Sequence, residues 1–327
     1  MTDLRPVEHW DTDFDVLDKS YVDDPFSIWD DLRQTCPVAH TDRRGSTWLP
    51  TTYKDVVALA HDIGHFSSLD ITVIPFDGEE PEEQVLPYGV PPISADPPLH
   101  TVTRRLLLPW FSHRKVESYE AMTRELCAGL VEGFLADGRA DAAADYAQQI
   151  PVRVIAAILG VPAELSDTFT GWVRAVLEFA DDMEVRREGT IALIEYFVAE
   201  VERRKEHPGD DLLSALLQTE VDGQPIEESI VLGVAALTLI AGVDTTWSAI
   251  GSSLWHLATH PEHAKVLATE PDAMPLAIEE LLRAYSPVTM ARVVTGDVEF
   301  EGCPMHAGDK VLMNFPAANR DPEAFEH

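Results

Sequence analysis

Residues 241–246, Ala-Gly-Val-Asp-Thr-Thr, place a carboxylate and two hydroxyls one valine after two very small side chains, with no proline to end the stretch. Asp244 and Thr245 are of the types that move protons: a carboxyl exchanges one, and a hydroxyl relays one without adding a fixed charge. Ala241 and Gly242 leave the backbone open to close approach by a bulky flat partner, and a threonine hydroxyl can bond the carbonyl one turn earlier and bend a helix. A second reading ends the buried part at Val243 and makes Asp244 the cap of a new helix with nothing bound there. Positive charge is concentrated in residues 96–117, where His100, Arg104, Arg105, His113, Arg114 and Lys115 interrupt an acidic chain. His100 and Arg104 are four apart and share a face if that stretch is helical. They either meet an anionic group or form an ordinary solvated face. Glu280 and Arg283 are three apart, on the side away from Leu276, Ile278, Leu281, Leu282 and Tyr285, so periodicity reads them as an exposed pair. Cys36, Cys127 and Cys303 are too widely spaced for a zinc site or a disulfide framework. No acid or histidine stands beside Cys303 in the sequence as a nucleophile requires.

The element that must position residues 241–246 is a long helix over residues 227–260. Its apolar run, residues 230–243, is interrupted only by Thr238. The run is too short for a bilayer and has no clear polar face, which predicts a helix buried in a protein core. Ahead of it the pattern predicts a short helix at 24–32, a strand around Thr47, Trp48 and Leu49, and a helix at 53–61. Residues 67–98, crowded with prolines and acids, read as a long loop: a lid offering Ile71, Val73, Ile74 and Val90, or plain disorder. Helical periodicity then covers 120–135, 142–159, 163–180 and 188–205. Asp211 opens a further helix, and a turn at Asp222 and Gly223 launches the long one. His260 and Pro261 break it, a helix at 274–285 carries Glu280 and Arg283, and strands at 291–294, 298–301 and 310–314 close the chain. Cys303 falls in a turn between two of these strands.

This order predicts a mainly α protein with small β-sheets, of the α+β class, in a single domain over residues 1–327, because no Gly-, Ser- or Pro-rich linker divides it. A net charge of -33 argues against nucleic acid or an anionic membrane surface as partner. The acidic start has no apolar signal core or anchor, which leads us to expect a soluble, cytoplasmic protein.

Taken in order and spacing, several pieces resemble the cytochrome P450 family, specifically its soluble bacterial monooxygenases. They are residues 96–104 (DPPLHTVTR), 208–217 (PGDDLLSALL), 241–246 (AGVDTT), 279–283 (EELLR), 290–294 (MARVV) and 318–322 (ANRDP). The resemblance spans essentially the whole chain. It implies haem b lying against the long helix near Ala241 and Gly242, with His100, Arg104 and Arg292 matching the positions that hold its propionates. Asp244 and Thr245 match the family's acid and alcohol pair, which delivers protons during oxygen activation. Glu280 and Arg283 match a buried structural pair, the reverse of the periodicity reading. Substrate contacts are implied at Ile71, Val73, Ile240, Val243, Val288, Thr289 and Met290, lining an apolar pocket. A ferredoxin-type partner would dock near Arg104, Arg105, Arg114 and Lys115, and the reaction would insert one oxygen atom from O2 into an apolar small molecule.

The family's thiolate ligand sits in a Gly-rich loop that follows the ANRDP region, and none of the three cysteines matches it. Cys36 precedes Pro37, Cys127 lies on an amphipathic helix, and Cys303 is in the strand turn. The expectation is therefore the larger N-terminal part of such an enzyme, lacking the ligand loop and the helix after it, inactive as it stands and with apolar surface left uncovered. The competing expectation is a haemless helical ligand-binding or interaction protein that retains the scaffold.

Overall fold

Short strands with alternating side chains and helices with one apolar stripe sort this chain into two units. The structure is a computed structural model that describes residues 5–74, 86–178, 182–221 and 223–326. The expected turn at Asp222, residues 75–85 of the expected lid and the last two positions of the 163–180 helix lie outside the described residues. One unit is Met1–Glu79 with Glu270–His327; the other is Glu80–Thr269.

The first unit begins with α1 (Lys19–Asp23), α2 (Pro25–Thr35), β1 (Val38–Thr41), β2 (Thr47–Pro50), α3 (Tyr53–His61) and β3 (Phe66–Ser67). The second contains α4 (Leu99–Leu107), α5 (His113–Leu135), α6 (Gln149–Leu159), α7 (Ser166–Leu177), α8 (Met183–Glu206), α9 (Leu212–Leu217), β4 (Glu220–Val221), β5 (Gln224–Pro225), α10 (Glu228–Thr259) and α11 (Pro261–Thr269). The chain then returns to the first unit with α12 (Met274–Ala284), β6 (Thr289–Val294), β7 (Val298–Phe300), β8 (Cys303–Met305), β9 (Lys310–Asn314) and α13 (Phe315–Ala318).

In the first unit a sheet of order β1-β2-β9-β6-β3 is antiparallel except for β2 beside β9. Its side chains divide by the two-residue period of a strand. Val38, Trp48, Val311 and Met313 face one apolar cluster, and Ala39, Leu49 and Leu312 face another. Trp48 would bury an indole N–H, and Nε1 satisfies it by donating to Asp309 Oδ2 at 2.9 Å. Cys303 opens β8 in the hairpin with β7, where a turn was expected, because Gly302 takes the left-handed position (φ 80°) one residue earlier.

The second unit is a helical assembly. Leu159, Phe169, Phe197, Leu213, Val234 and Leu239, drawn from α6 to α10, meet in one core. The predicted helices are present with changes: that expected at 142–159 is a π-helical turn over Ala142–Ala147 followed by α6, those expected at 120–135 and 188–205 are longer, that expected at 163–180 is shorter, and α4 and α11 are additions. Pro261, read as a break, also starts α11, because a proline in the first helical turn loses no hydrogen bond. By length and composition α10 is also apolar enough to cross a membrane, more than its apolar run alone suggested. Nine of its residues are buried within the protein, as in a core helix. Apolar surface is left uncovered in both units: no residue of α5 or α12 is buried, and Leu135 and Leu276 are 69% and 77% exposed.

Candidate active site

α10 runs unbroken through residues 241–246, so Asp244 is an interior helix residue and the reading of it as a cap is overturned. The polar groups fit inside the helix by bonding to its own backbone. Thr245 Oγ1 donates to Ala241 O at 2.8 Å, and Thr238 Oγ1 does the same to Val234 O at 2.7 Å. Ala241 and Thr245 thus share one half-buried face of the helix. Thr245 Oγ1 keeps its lone pairs as acceptors while its proton is engaged.

The Asp244 carboxyl is raised above its ordinary range, first by burial and then by the nearby Glu178 carboxylate, while a hydrogen bond from Trp247 acts the other way. Glu178, at the C-terminal end of α7, is itself paired with Arg174 at 2.6 Å. A carboxyl shifted in this direction holds its proton closer to neutral pH than an exposed aspartate, which suits a proton carrier. Trp247, one turn on from Asp244, is foreseeable from helical spacing. Glu178, distant in sequence, carries no signal there.

Gly242 is a correction. A Cβ on it would overlap the Ile155 side chain of α6, 2.8 Å from Cγ1. The missing side chain therefore lets two helices approach, and the direction expected to face a flat cofactor is filled by Ile155. Val243 is fully buried in the unit's core, so as a pocket-lining residue it is corrected too, while Ile240 is half-buried and packs against the same core. At this point of α10 the apolar positions hold the helix in place.

His100 and Arg104 lie one turn apart on α4, as the spacing predicted, half-buried and exposed respectively. Neither has an ion-pair partner among the described residues. Arg105 and Arg114 are exposed, and the Lys115 ammonium sits 4.7 Å from the centre of the Trp110 ring.

In the first unit, Arg292 on β6 donates through Nη1 to Ser68 Oγ. Met290 packs on the sheet's apolar cluster, Thr289 is in register with Asn314, and Val288 is half-buried just ahead of the strand. Ile71 O accepts from Ala291 N at 3.0 Å, and Val73 packs against the cluster around Phe14 and Leu32. Lys310 Nζ adds bonds to Thr72 O at 2.8 Å and Asp70 Oδ2 at 2.9 Å. In the second unit, Leu86 and Val90 pack on the core, and a Cβ on Gly233 of α10 would lie 2.8 Å from Pro91 Cδ. The expected free lid is thus corrected at both described ends, which backbone bonds and core contacts hold down.

Glu280 and Arg283 form a bidentate pair, with Arg283 Nε 2.7 Å from Glu280 Oε2 and Nη2 2.6 Å from Oε1. The Glu280 side chain is 59% exposed and that of Arg283 23%, so the periodicity reading holds and the expectation of a buried pair is corrected. The reason lies in α12, whose apolar side is itself uncovered. Arg283 Nη1 also bonds Asn319 O, and its guanidinium lies 5.1 Å from the centre of the Phe325 ring.

The residues around Ala241 fit a planar anionic cofactor in part. The small face of α10 and the cations of α4 match a flat ring with carboxylate arms, but the cysteines do not match an axial thiolate. Burial first raises the Cys36 and Cys303 thiols, which works against ionisation, and Cys127 sits on α5 beside Tyr146.

Comparison with known proteins agrees with this picture. The family profile described as Cytochrome P450 matches residues 165–327. A probable cytochrome P450 127A1 of Sinorhizobium fredii is 34% identical over 286 residues, covering 87% of this chain and 67% of the relative. The vitamin D(3) 25-hydroxylase of Pseudonocardia autotrophica is 34% identical, covering 94% of this chain and 77% of the relative. Among solved structures, the cytochrome P450 PksS of Bacillus subtilis 168 superimposes with a TM-score of 0.85 at 26% identity, covering 96% of this chain and 80% of that one. The chain belongs to the cytochrome P450 family and, with it, to the monooxygenases among the oxidoreductases.

Proposed function

We propose that this protein takes part in haem-dependent monooxygenation of an apolar small molecule, with Asp244 and Thr245 as its proton-handling pair. The observation that carries the reading is the half-buried Ala241 and Thr245 face of α10, with an acid of raised pKa one residue before Thr245. Haem b, when bound, supplies the activation of dioxygen. His100 and Arg104 would hold its carboxylate arms. Gly242 is left out of that set, since Ile155 occupies the direction its missing side chain opens. Thr245 would accept a proton on its oxygen and pass on the one it shares with Ala241 O, and Asp244 would replenish it. The roles of Arg292, Ile71, Val73, Val288, Thr289 and Met290 rest on the resemblance alone.

An apolar substrate is supported by a relative named for vitamin D(3). Electrons would come from a ferredoxin-type protein at Arg104, Arg105, Arg114 and Lys115, cations suited to an acidic partner. A cytoplasmic location follows from the soluble bacterial enzymes it resembles. The second reading, a haemless binding protein that keeps the scaffold, is favoured by the raised Cys36 and Cys303 thiols.

Haem titration of the protein expressed from its full reading frame separates the two. A Soret band that takes the thiolate-type shift with carbon monoxide supports the enzyme, and the lack of any Soret band supports the binding protein. In the enzyme, Thr245→Ala should let oxygen consumption run on while product falls. Unchanged coupling would remove Thr245 from the proposed relay.

A further inference from the structure

Residues 256–263, His-Leu-Ala-Thr-His-Pro-Glu-His, bring three imidazoles together where α10 hands over to α11, away from residues 241–245 and unused by the reaction proposed above. His256 Nε2 and His263 Nδ1 face each other at 2.9 Å, with ring planes 16° apart and ring centres 5.1 Å apart. His260 stacks on His256 at 4.3 Å and 13°. Its Nδ1–H donates to His256 O at 3.0 Å, because the neighbouring Thr259 hydroxyl already donates to Trp255 O. The stack and that bond fix the plane of the His256 ring, the kind of support that orients a ligating imidazole.

We infer that His256 and His263 form a two-imidazole clamp for a divalent transition-metal ion of the Zn2+, Ni2+ and Cu2+ class. Two ring nitrogens 2.9 Å apart share one proton. A tetrahedral ion about 2.05 Å from each nitrogen needs them roughly 3.3 Å apart, so replacing the proton requires a small opening together with a turn of each ring that aims its lone pair off the line joining the two nitrogens. Neutral imidazole suits borderline metals and discriminates against Mg2+ and Ca2+, which prefer oxygen ligands. Glu262, in the first turn of α11 and next in sequence to His263, adds negative charge near the cation. Among the described residues no group of three or more such side chains has ligand geometry, so the clamp has two protein ligands, with water completing the shell at this exposed corner. Bound metal would tie the last turn of α10 to the first turn of α11.

Calorimetric titration of the full chain with ZnCl2 tests this, with MgCl2 in parallel and circular dichroism confirming the fold of each variant. The expected result is one saturable Zn2+ site and none for Mg2+. Loss of the chelate in His263→Ala or His256→Ala should weaken binding about 100-fold. His260→Phe keeps the stack and should bind nearly as well as the parent. Failure to saturate, binding unmoved by His263→Ala, or an equal loss in His260→Phe would each overturn the two-nitrogen clamp.

Discussion

Arg204 and Arg283 each reach a carboxylate one turn back on their own helix, yet they occupy opposite environments. Arg204, on α8, is 2% exposed and fully engaged. It binds Glu200 at 2.5 Å and Asp211 at 2.9 Å, and it also donates to the carbonyls of Leu159 and Gly160. Asp211 accepts from Ser214 N at 2.9 Å as well, so a single carboxylate caps α9 and anchors α8. Arg283 makes a bidentate pair of equally good geometry, but water reaches its partner. Helical spacing produces both pairs and says nothing of how much solvent each has lost. That loss decides their energetic weight, because a surface pair is screened while a buried ion left alone keeps its full desolvation cost.

Three variants sharpen the contrast. Arg204→Ala leaves the Asp211 carboxylate and two carbonyls without their cation, while Glu200 keeps its pair with Arg203 at 2.9 Å, and should cost about 3–5 kcal/mol in denaturant unfolding. A loss near 1 kcal/mol would mean that water enters the site freely. Arg283→Ala should cost about 1 kcal/mol or less, and the difference from the parent should shrink as salt is added. A much larger, salt-insensitive loss would restore the buried-pair reading of Glu280 and Arg283.

The smallest change, of opposite sign, belongs to Asp244→Asn, since Asp244 is intermediate in burial. The folded protein holds the Asp244 proton more tightly than the unfolded chain does. Its cost is therefore absent below the ordinary aspartate value of about 3.9, grows as pH rises from there to the raised folded value, and stays constant above it. Asp244→Asn should flatten that decline and raise the melting temperature slightly at neutral pH. A parallel pH dependence in parent and variant would count against the burial assigned to this carboxyl.

A good part of this was legible in the residues. The apolar run before Ala241, the absence of a helix breaker through Thr246, and the two-residue alternation of β9 each follow from local preference. Asp211 as a helix opener and the shared face of His100 and Arg104 depend only on neighbours in the chain. Where the reading failed, the cause was distant in sequence. Gly242 meets Ile155, Val243 enters a core built from five helices, and the Asp244 proton is raised partly by Glu178.

By itself the sequence determined the family, the mainly helical class, and the acid and alcohol on one long helix, because these depend on residue type and on spacings within one or two turns. Tertiary structure alone decided which small residue admits a neighbouring helix and which ion pair loses its water. Burial and close contact are set by segments far apart in the chain, and no local pattern encodes which surfaces those segments will cover.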